Sequence, residues 1–213
     1  MPVVTISRQF GAGGHTLGEM VAQRFGYQLV DQGVIHQIAQ EAKVSVNWVE
    51  AVEKETGGLV MRIVNSLVSS SFIERLLGEP GADFDEKKYV QFVKRIIRDI
   101  AREGDAVIVG RGAQFILPEK EDIIKVLLVA DLEDRIKFMM EHYDLARAKA
   151  EELVLREEKR RTVFLKVFYP GDPDDPKLYT MVINTGRVSL AEAEDLVTGL
   201  LGRILDEHAS PIW

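Results

Sequence analysis

The chain has 213 residues and a net charge of −7. This length suits a single α/β domain with a sizeable core, and the acidic balance argues against DNA or RNA as a partner. An anionic ligand must therefore be met by a local basic cluster. Because cysteine is absent and the four histidines lack zinc-like spacing, we predict no metal site built from protein side chains alone.

Apolar runs are short throughout the chain. None approaches the roughly 18 residues that a membrane-spanning helix needs, and the first residues lack a signal-peptide profile. We therefore expect a cytoplasmic protein without a membrane partner, present as a monomer or a homodimer.

A glycine-rich loop follows the first predicted strand. The strand is the β-branched run Val3 to Ile6, and a helix follows with apolar residues at helical spacing up to Phe25, before Gly26. Glycine between a strand and a helix lets backbone N–H groups turn inward, and the helix N-terminus favours negative charge. The loop is therefore predicted to bind phosphate groups, through Gly11, Ala12, Gly13, Gly14, His15 and Thr16.

Two kinds of glycine-rich loop are compatible with this context. A dinucleotide-binding turn needs G-x-G-x-x-G, and Thr16 stands where the third glycine belongs, although Asp31 lies roughly where the ribose-binding acid would. A P-loop, G-x-x-x-x-G-K-[ST], fits the loop length better. In that alignment Arg8 replaces the first glycine and Gly14 replaces the lysine.

Asp31 ends the second predicted strand, Tyr27 to Val30, at the edge where open α/β sheets bind ligands. It is positioned to hold a magnesium-bound water or a substrate hydroxyl, or to N-cap the helix that Val34 and Ile35 begin. Both interpretations remain open. Residues 45–103 are then predicted to form a helical insertion.

Arg111 lies in the turn Gly110-Arg111-Gly112, directly after the predicted strand Ala106 to Val109. Flanking glycines let the backbone approach a ligand while the guanidinium forks onto phosphate oxygens. The alternative is a surface arginine in a tight turn. The position of the turn at the ligand-facing edge favours the phosphate contact.

A fourth strand, Ile123 to Val129, leads to a helix with Asp131 as its predicted cap. The basic block that follows can neutralise charge on a transferred phosphoryl group, or it can be a salt-bridged helix surface with Glu157 paired to Arg161. Its candidate residues are Lys159, Arg160 and Arg161. The acidic turn 171–176 is interpreted as a linker.

The last strand is predicted from Leu178 to Ile183 and is followed by Asn184 and Arg187. Ser189 with Glu192 then forms the signature of a capping box that opens the final helix. Together these elements predict a P-loop-type three-layer sandwich around a five-stranded parallel sheet.

Several of these motifs resemble the cytidylate kinase family. Residues 8–16 and 27–35 resemble its G-x-x-G-A-G-K-G-T loop and its D-x-G-A-I/M strand end, and residues 110–112 resemble its G-R-D. The match is better still with the divergent cytidylate kinase-like branch. Its opening I-S-R-Q-x-G-A-G-G and its closing I-N-T-x-R-x-S are similar to residues 6–14 and 183–189.

The resemblance implies one kinase domain over residues 1–213, with an acceptor-binding insertion at 45–103 and a helical lid region at 143–176. It also implies ATP-dependent phosphoryl transfer to a nucleoside monophosphate, with CMP or dCMP the first guess. ATP and Mg²⁺ are the implied cofactors, and Mg²⁺ would be held mainly through water, with Asp31 as an outer contact.

Individual roles follow from the same resemblance. The loop residues hold the donor phosphates, Arg8 supplies the charge of the missing lysine, and Arg111 and the lid cations grip the acceptor and the transferred group. Asp31 and Gly33 lie on the acceptor side. The residues implied beside the donor base are Asn184 and Arg187.

The chain also departs from the family. His36, Gln37 and Gly112 replace a tyrosine, an arginine and an aspartate of true cytidylate kinases. Three alternatives therefore stay open. They are a nucleotide-binding protein that has lost catalysis, a kinase of another small acceptor, and a dinucleotide-dependent oxidoreductase.

Overall fold

The computed structural model describes residues 1–31, 33–35, 86–166 and 168–209. Within them the chain alternates strands and helices as predicted, apart from element ends. The strands are β1 (Val3–Arg8), β2 (Gln28–Val30), β3 (Ala106–Val109), β4 (Ile123–Val129) and β5 (Met181–Asn184). The helices are α1 (Gly14–Phe25), α2 (Glu86–Glu103), α3 (Ala113–Ile116), α4 (Leu132–Tyr143), α5 (Arg147–Lys166) and α6 (Leu190–Ala209).

All five strands are parallel and lie in the order β2-β3-β1-β4-β5, which confirms the predicted sheet. The chain leaves β1 for the edge strand β2, returns to β3 beside β1, and then crosses over β1 to reach β4. The connection from β1 to β2 and the connection from β3 to β4 therefore run to opposite sides of β1, leaving a gap at its carboxyl end. In open α/β sheets such a point forms the ligand-binding crevice.

Hydrophobic packing covers both faces of the sheet. On one face α2 packs against the strands through Val93, Ile96 and Ile97, and on the other α1 and α6 pack through buried residues such as Leu17 and Val197. Strands buried on both faces are almost continuously apolar, as in β3. The predicted three-layer arrangement is confirmed.

The start of β5 differs from the prediction. The strand begins at Met181 rather than Leu178, because Pro176–Leu178 forms a 3₁₀ turn. Proline suits the first position of a helical turn, and the Asp175 carboxylate accepts the Lys177 N–H at 3.0 Å. Capping at Asp175 and Pro176 therefore favours a 3₁₀ turn at residues that the apolar pattern assigned to the strand.

The capping box that opens α6 is confirmed. The Ser189 N–H donates to Glu192 Oε2 at 2.9 Å, and the Glu192 N–H donates to Ser189 Oγ at 3.3 Å. Asp131 occupies the N-cap position of α4, as predicted, but makes no capping hydrogen bond through its side chain.

Of the predicted insertion at 45–103, the structure describes helix α2. Residues 45–85 lie outside the described residues, as do His36, Gln37 and most of the helix expected after Val34. The acceptor-binding insertion therefore stays a prediction. In the described part of the chain, no helix is both long enough and apolar enough to cross a bilayer.

Candidate phosphate-binding site

The glycine-rich loop leads from the end of β1 directly into α1. Gly13 has φ 77° and stands at the N-cap of α1, with no side chain capping the helix. The first backbone N–H groups of a helix have no partner within it. Among the described residues none accepts a hydrogen bond from the N–H groups of Gly11, Gly13, Gly14, His15 or Thr16. The converging donors and the positive helix end form a site suited to phosphate.

Contacts from neighbouring elements hold the loop in place. The Gln9 side chain accepts the Ala130 N–H at 3.1 Å, and the Thr185 hydroxyl donates to the Ala12 carbonyl at 3.1 Å. The first contact ties the loop to the end of β4, and the second ties it to the end of β5. The loop is therefore fixed before any ligand arrives.

Glu158 on α5 is a further contact to the loop. Its Oε2 accepts the Phe10 N–H at 2.6 Å and lies 3.4 Å from Arg135 Nη1, while its Oε1 accepts from Arg161 Nη1 at 2.7 Å. One carboxylate thus connects the glycine-rich loop to cations of α4 and α5.

Replacing Glu158 with glutamine should lower the free energy of unfolding by about 1–3 kcal/mol, because the two arginines then lose a partly buried counter-charge. Urea denaturation measures the change. Glu103→Gln, at an exposed position of α2, is the matched control and should stay within about 0.5 kcal/mol of the parent. Equal effects of the two substitutions would contradict this assignment.

Three arginines meet beside the loop. Burial, followed by the positive charges of Arg161 and Arg111, lowers the pKa of Arg8 to about 10, and the carboxylates of Asp31 and Glu158 partly oppose this. Arg8 is still protonated at neutral pH. A buried cation whose pKa is lowered by cationic neighbours is stabilised by an anion placed between them. The electrostatics at the edge of the sheet therefore match the donor-rich loop.

Arg161 faces this site from α5. Its side chain is only 10% exposed and is hydrogen-bonded to Asp174 and Glu158, with Ser7 Oγ 3.5 Å from Nη2. The predicted ion pair between Glu157 and Arg161 is wrong, because Glu157 pairs with Arg156 and Arg160 instead. Glu158 and Asp174 lie on the loop side of the helix and attract the guanidinium there.

The other two lid cations lie elsewhere on the helix. Arg160 is 57% exposed and donates to Glu157 Oε1 at 2.8 Å, and Lys159 is also exposed. The sequence did not separate Arg160 from Arg161. In this structure Arg161 is the one that contacts residues of the loop side, and the catalytic roles of all three stay predictions.

Asp174, in the turn interpreted as a linker, contacts the site. Its Oδ2 accepts from Gln9 Nε2 at 3.2 Å, and its carboxylate also binds Arg161. Buried Gln114 lies behind it and donates to Ser7 Oγ at 3.3 Å and to Tyr179 Oη at 3.4 Å. The acidic turn is therefore packed against the site and is more than a connection.

The Arg111 turn lies where the sequence predicted, at the carboxyl end of β3. Its backbone is left-handed at φ 56°, and its guanidinium lies over the Phe164 ring, 5.2 Å from the centroid. Phe164 follows Arg161 by three residues on α5, so the turn and α5 meet. Arg111 as a whole is half-buried, and its role as a phosphate contact stays a prediction.

Asp31 has two contacts. Its Oδ1 accepts the Val34 N–H at 3.0 Å, which confirms the capping interpretation, and Oδ2 lies 3.6 Å from His15 Nδ1. Gly33 is helical and lies just after this cap. Asp31 therefore caps a helix and also faces the glycine-rich loop.

Asn184 and Arg187 make local contacts. The side-chain Oδ1 of Asn184 accepts the Gly186 N–H at 3.0 Å, and Arg187, 73% exposed, lies 3.6 Å from Asp131. Their neighbour Thr185 reaches the loop instead. Their role beside the donor base stays a prediction.

Sequence reasoning missed several residues of this site. Gln9 and Thr185 lie inside the quoted motifs, so their position was a usable signal. The others are brought in by tertiary contacts alone: Gln114, Arg135, Glu158 and Asp174.

In the described residues, no three His, Asp or Glu side chains are grouped to hold a metal ion.

Residues 3–187 match the model of the cytidylate kinase-like family. The chain belongs to this family. A cytidylate kinase from Methanopyrus kandleri is 22% identical over 215 residues, with 97% of this chain and 96% of that protein covered. One from Staphylothermus marinus is 23% identical over 209 residues, with 97% and 100% covered.

A crystal structure of an uncharacterized protein from Eubacterium ventriosum has the same fold as this cytidylate kinase-like chain. It superposes with a TM-score of 0.67 at 19% identity, covering 95% of this chain and 99% of that one. The resemblance expected from the sequence motifs is thus confirmed, and the family and its P-loop fold support nucleotide kinase activity.

Proposed function

We propose that this protein transfers the γ-phosphoryl group of ATP to the phosphate of a nucleoside monophosphate, with CMP or dCMP the first acceptors to test. The observation that carries the proposal is the row of unpartnered loop N–H groups beside Arg8, Arg111 and Arg161, at the carboxyl edge of the sheet. Family membership adds support.

The reaction needs positioning and charge stabilisation more than covalent chemistry. An oxygen of the acceptor phosphate forms a bond to the γ-phosphorus, the bond from that phosphorus to the β–γ bridging oxygen breaks, and ADP leaves. Loop N–H groups of Gly11, Gly13, Gly14, His15 and Thr16 hold the donor phosphates. The Ala12 N–H, which the sequence also predicted as a phosphate donor, instead donates to the Gln9 carbonyl at 3.1 Å. Arg111 and Arg161 stabilise the negative charge on the transferred group and the acceptor.

Mg²⁺ would neutralise charge between the donor phosphates. We propose that this chain holds it mainly through water, with Asp31 as the outer contact, because the described residues contain no cluster of ligands. Asp31 also keeps its capping contact to Val34, so its position is fixed in advance.

A second candidate is a nucleotide-binding protein without turnover. Gly14 and Gly112, which stand in place of the family's lysine and aspartate, favour it. This candidate predicts ATP binding with no ADP release for any acceptor.

One experiment separates the candidates. ADP release is followed by a coupled assay with Mg-ATP and a panel of CMP, dCMP, UMP, AMP, GMP and small hydroxylated acceptors, while calorimetry measures ATP and NAD binding. Turnover with CMP or dCMP is the expected result, and turnover with another panel member alone would correct the acceptor. Tight ATP binding without turnover on the panel would support the second candidate. Binding of NAD but not of ATP would overturn both.

A further inference from the structure

Arg8 occupies the volume that the side chain of residue 14 would need. A Cβ atom added to Gly14 would lie 2.6 Å from Arg8 Cγ and 2.9 Å from Arg8 Cβ, closer than real Cβ atoms approach such neighbours. A lysine at position 14 and the arginine at position 8 therefore exclude each other in this arrangement.

The side chain of Arg8 extends from the end of β1 to the turn after β3. A Cβ atom on Gly110 would overlap Arg8 Nη1 and would lie 3.1 Å from Cζ. Gly110 also has φ 77°, which disfavours any side chain there. Two glycines on different elements thus leave room for one arginine.

In the part of the chain that the structure describes, no carboxylate lies within ion-pair distance of Arg8. Among the described residues, none forms a hydrogen bond or an ion pair within 4 Å with its guanidinium, whereas Arg111 and Arg161 contribute repulsion. A guanidinium carries five N–H donors and binds phosphate in a forked geometry. The same small region contains the unpartnered N–H groups of the loop. One polyphosphate has enough oxygens to accept hydrogen bonds from both the loop N–H groups and the Arg8 guanidinium.

We propose that Arg8 supplies the phosphate-contacting cation that the loop lysine supplies in G-x-x-x-x-G-K sequences, and that residue 14 is glycine because Arg8 passes over it. The inference rests on the proposed function and deepens it, since it assigns the donor-phosphate contact to a residue of β1. The positive charge has moved from the helix N-terminus to the preceding strand.

Removal of the charge is the first test. Arg8→Met keeps most of the stem, and its matched control is Arg24→Met, at an exposed arginine that pairs with Glu194 and Asp195. Calorimetry with Mg-ATP and with inorganic tripolyphosphate should show at least about tenfold weaker binding of both for Arg8→Met and unchanged binding for Arg24→Met. Binding by Arg8→Met within twofold of the parent would overturn the inference.

The melting temperature without ligand distinguishes a phosphate-binding arginine from a structural one, because loss of a structural arginine would lower it. Burial and two cationic neighbours penalise the Arg8 charge when no anion is bound, so Arg8→Met should melt at or above the parent temperature. Tripolyphosphate should then raise the melting temperature of the parent more than that of the variant. A variant that melts lower than the parent and gains as much from tripolyphosphate would contradict the assignment.

Exchange of the two positions is the second test. Gly14→Lys alone should weaken tripolyphosphate binding, because the lysine stem collides with Arg8. The double variant Arg8→Gly, Gly14→Lys has room for the lysine and should bind at least about tenfold better than Arg8→Gly alone. If Gly14→Lys alone binds as tightly as the parent, the two side chains do not compete and this part of the inference fails.

The two probes separate the inference from the proposed function. Binding of tripolyphosphate but not of Mg-ATP by the parent would overturn the proposed nucleotide kinase, while Arg8→Met would still decide the role of Arg8. Binding of neither probe would contradict both.

Discussion

Arg161→Met is expected to lower kcat by at least about a hundredfold with the best acceptor, because under the proposed function it removes a positioned cation that stabilises the charge developing during phosphoryl transfer. Arg161 is almost buried and is held by Asp174 and Glu158 on the loop side of α5. Its geometry is therefore set before substrates bind. Steady-state kinetics with ATP and the best acceptor measure the effect.

The adjacent position provides the comparison. Arg160→Met removes an equal charge from an exposed side chain that pairs with Glu157, and its loss of kcat should be at least about tenfold smaller. Arg161→Lys keeps the charge but loses the fork, so it should fall between the other two. Equal losses for positions 160 and 161 would show that the basic block acts through net charge rather than through one positioned arginine.

Gly11→Ala is expected to lower the free energy of unfolding by about 2–4 kcal/mol and to abolish measurable ATP binding. Gly11 has φ 88°, and a Cβ atom there would lie 2.9 Å from the Arg135 carbonyl oxygen and 3.0 Å from Arg135 Cβ. The first feature strains any L-residue, and the second forces the backbone of the loop to shift. Guanidinium denaturation and calorimetry with Mg-ATP test both effects.

Gly199→Ala on α6 is the control for that substitution. Gly199 is helical, and among the described residues no heavy atom beyond its chain neighbours and its own helix backbone lies within 4 Å of an added Cβ atom, so alanine should stabilise the protein by about 0.5–1 kcal/mol. ATP binding should be unchanged. A stable Gly11→Ala variant that still binds ATP would show that the loop adapts and that its N–H groups are not fixed in advance.

Elements whose causes are local could be predicted from the sequence. The strand-loop-helix unit of residues 3–25 follows from a β-branched run, glycines and helical spacing of apolar residues. The capping box of Ser189 and Glu192 depends on two side chains three positions apart. Tertiary packing did not change these choices, because each determinant lies within a few residues of its effect.

Element ends and partners at long range were harder to predict. Apolar residues from Leu178 onward indicated strand, yet capping by Asp175 and Pro176 made a 3₁₀ turn before Met181. Helical spacing allowed an ion pair between Glu157 and Arg161. Residue spacing predicts contacts within one helix. It cannot predict the ion pair of Arg161 with Asp174, which lies in a turn packed beside that helix.

The sequence by itself determined the sheet class, the glycine-rich loop, the Arg111 turn and the resemblance to the family, because these depend on residue type and short spacing. Only the tertiary structure decided which arginine of α5 faces the loop, that Glu158 and Asp174 hold it, and that Arg8 fills the space above Gly14. Those facts depend on distances between residues far apart in the chain. Such distances exist only after the strands have paired and α5 has packed against the edge of the sheet.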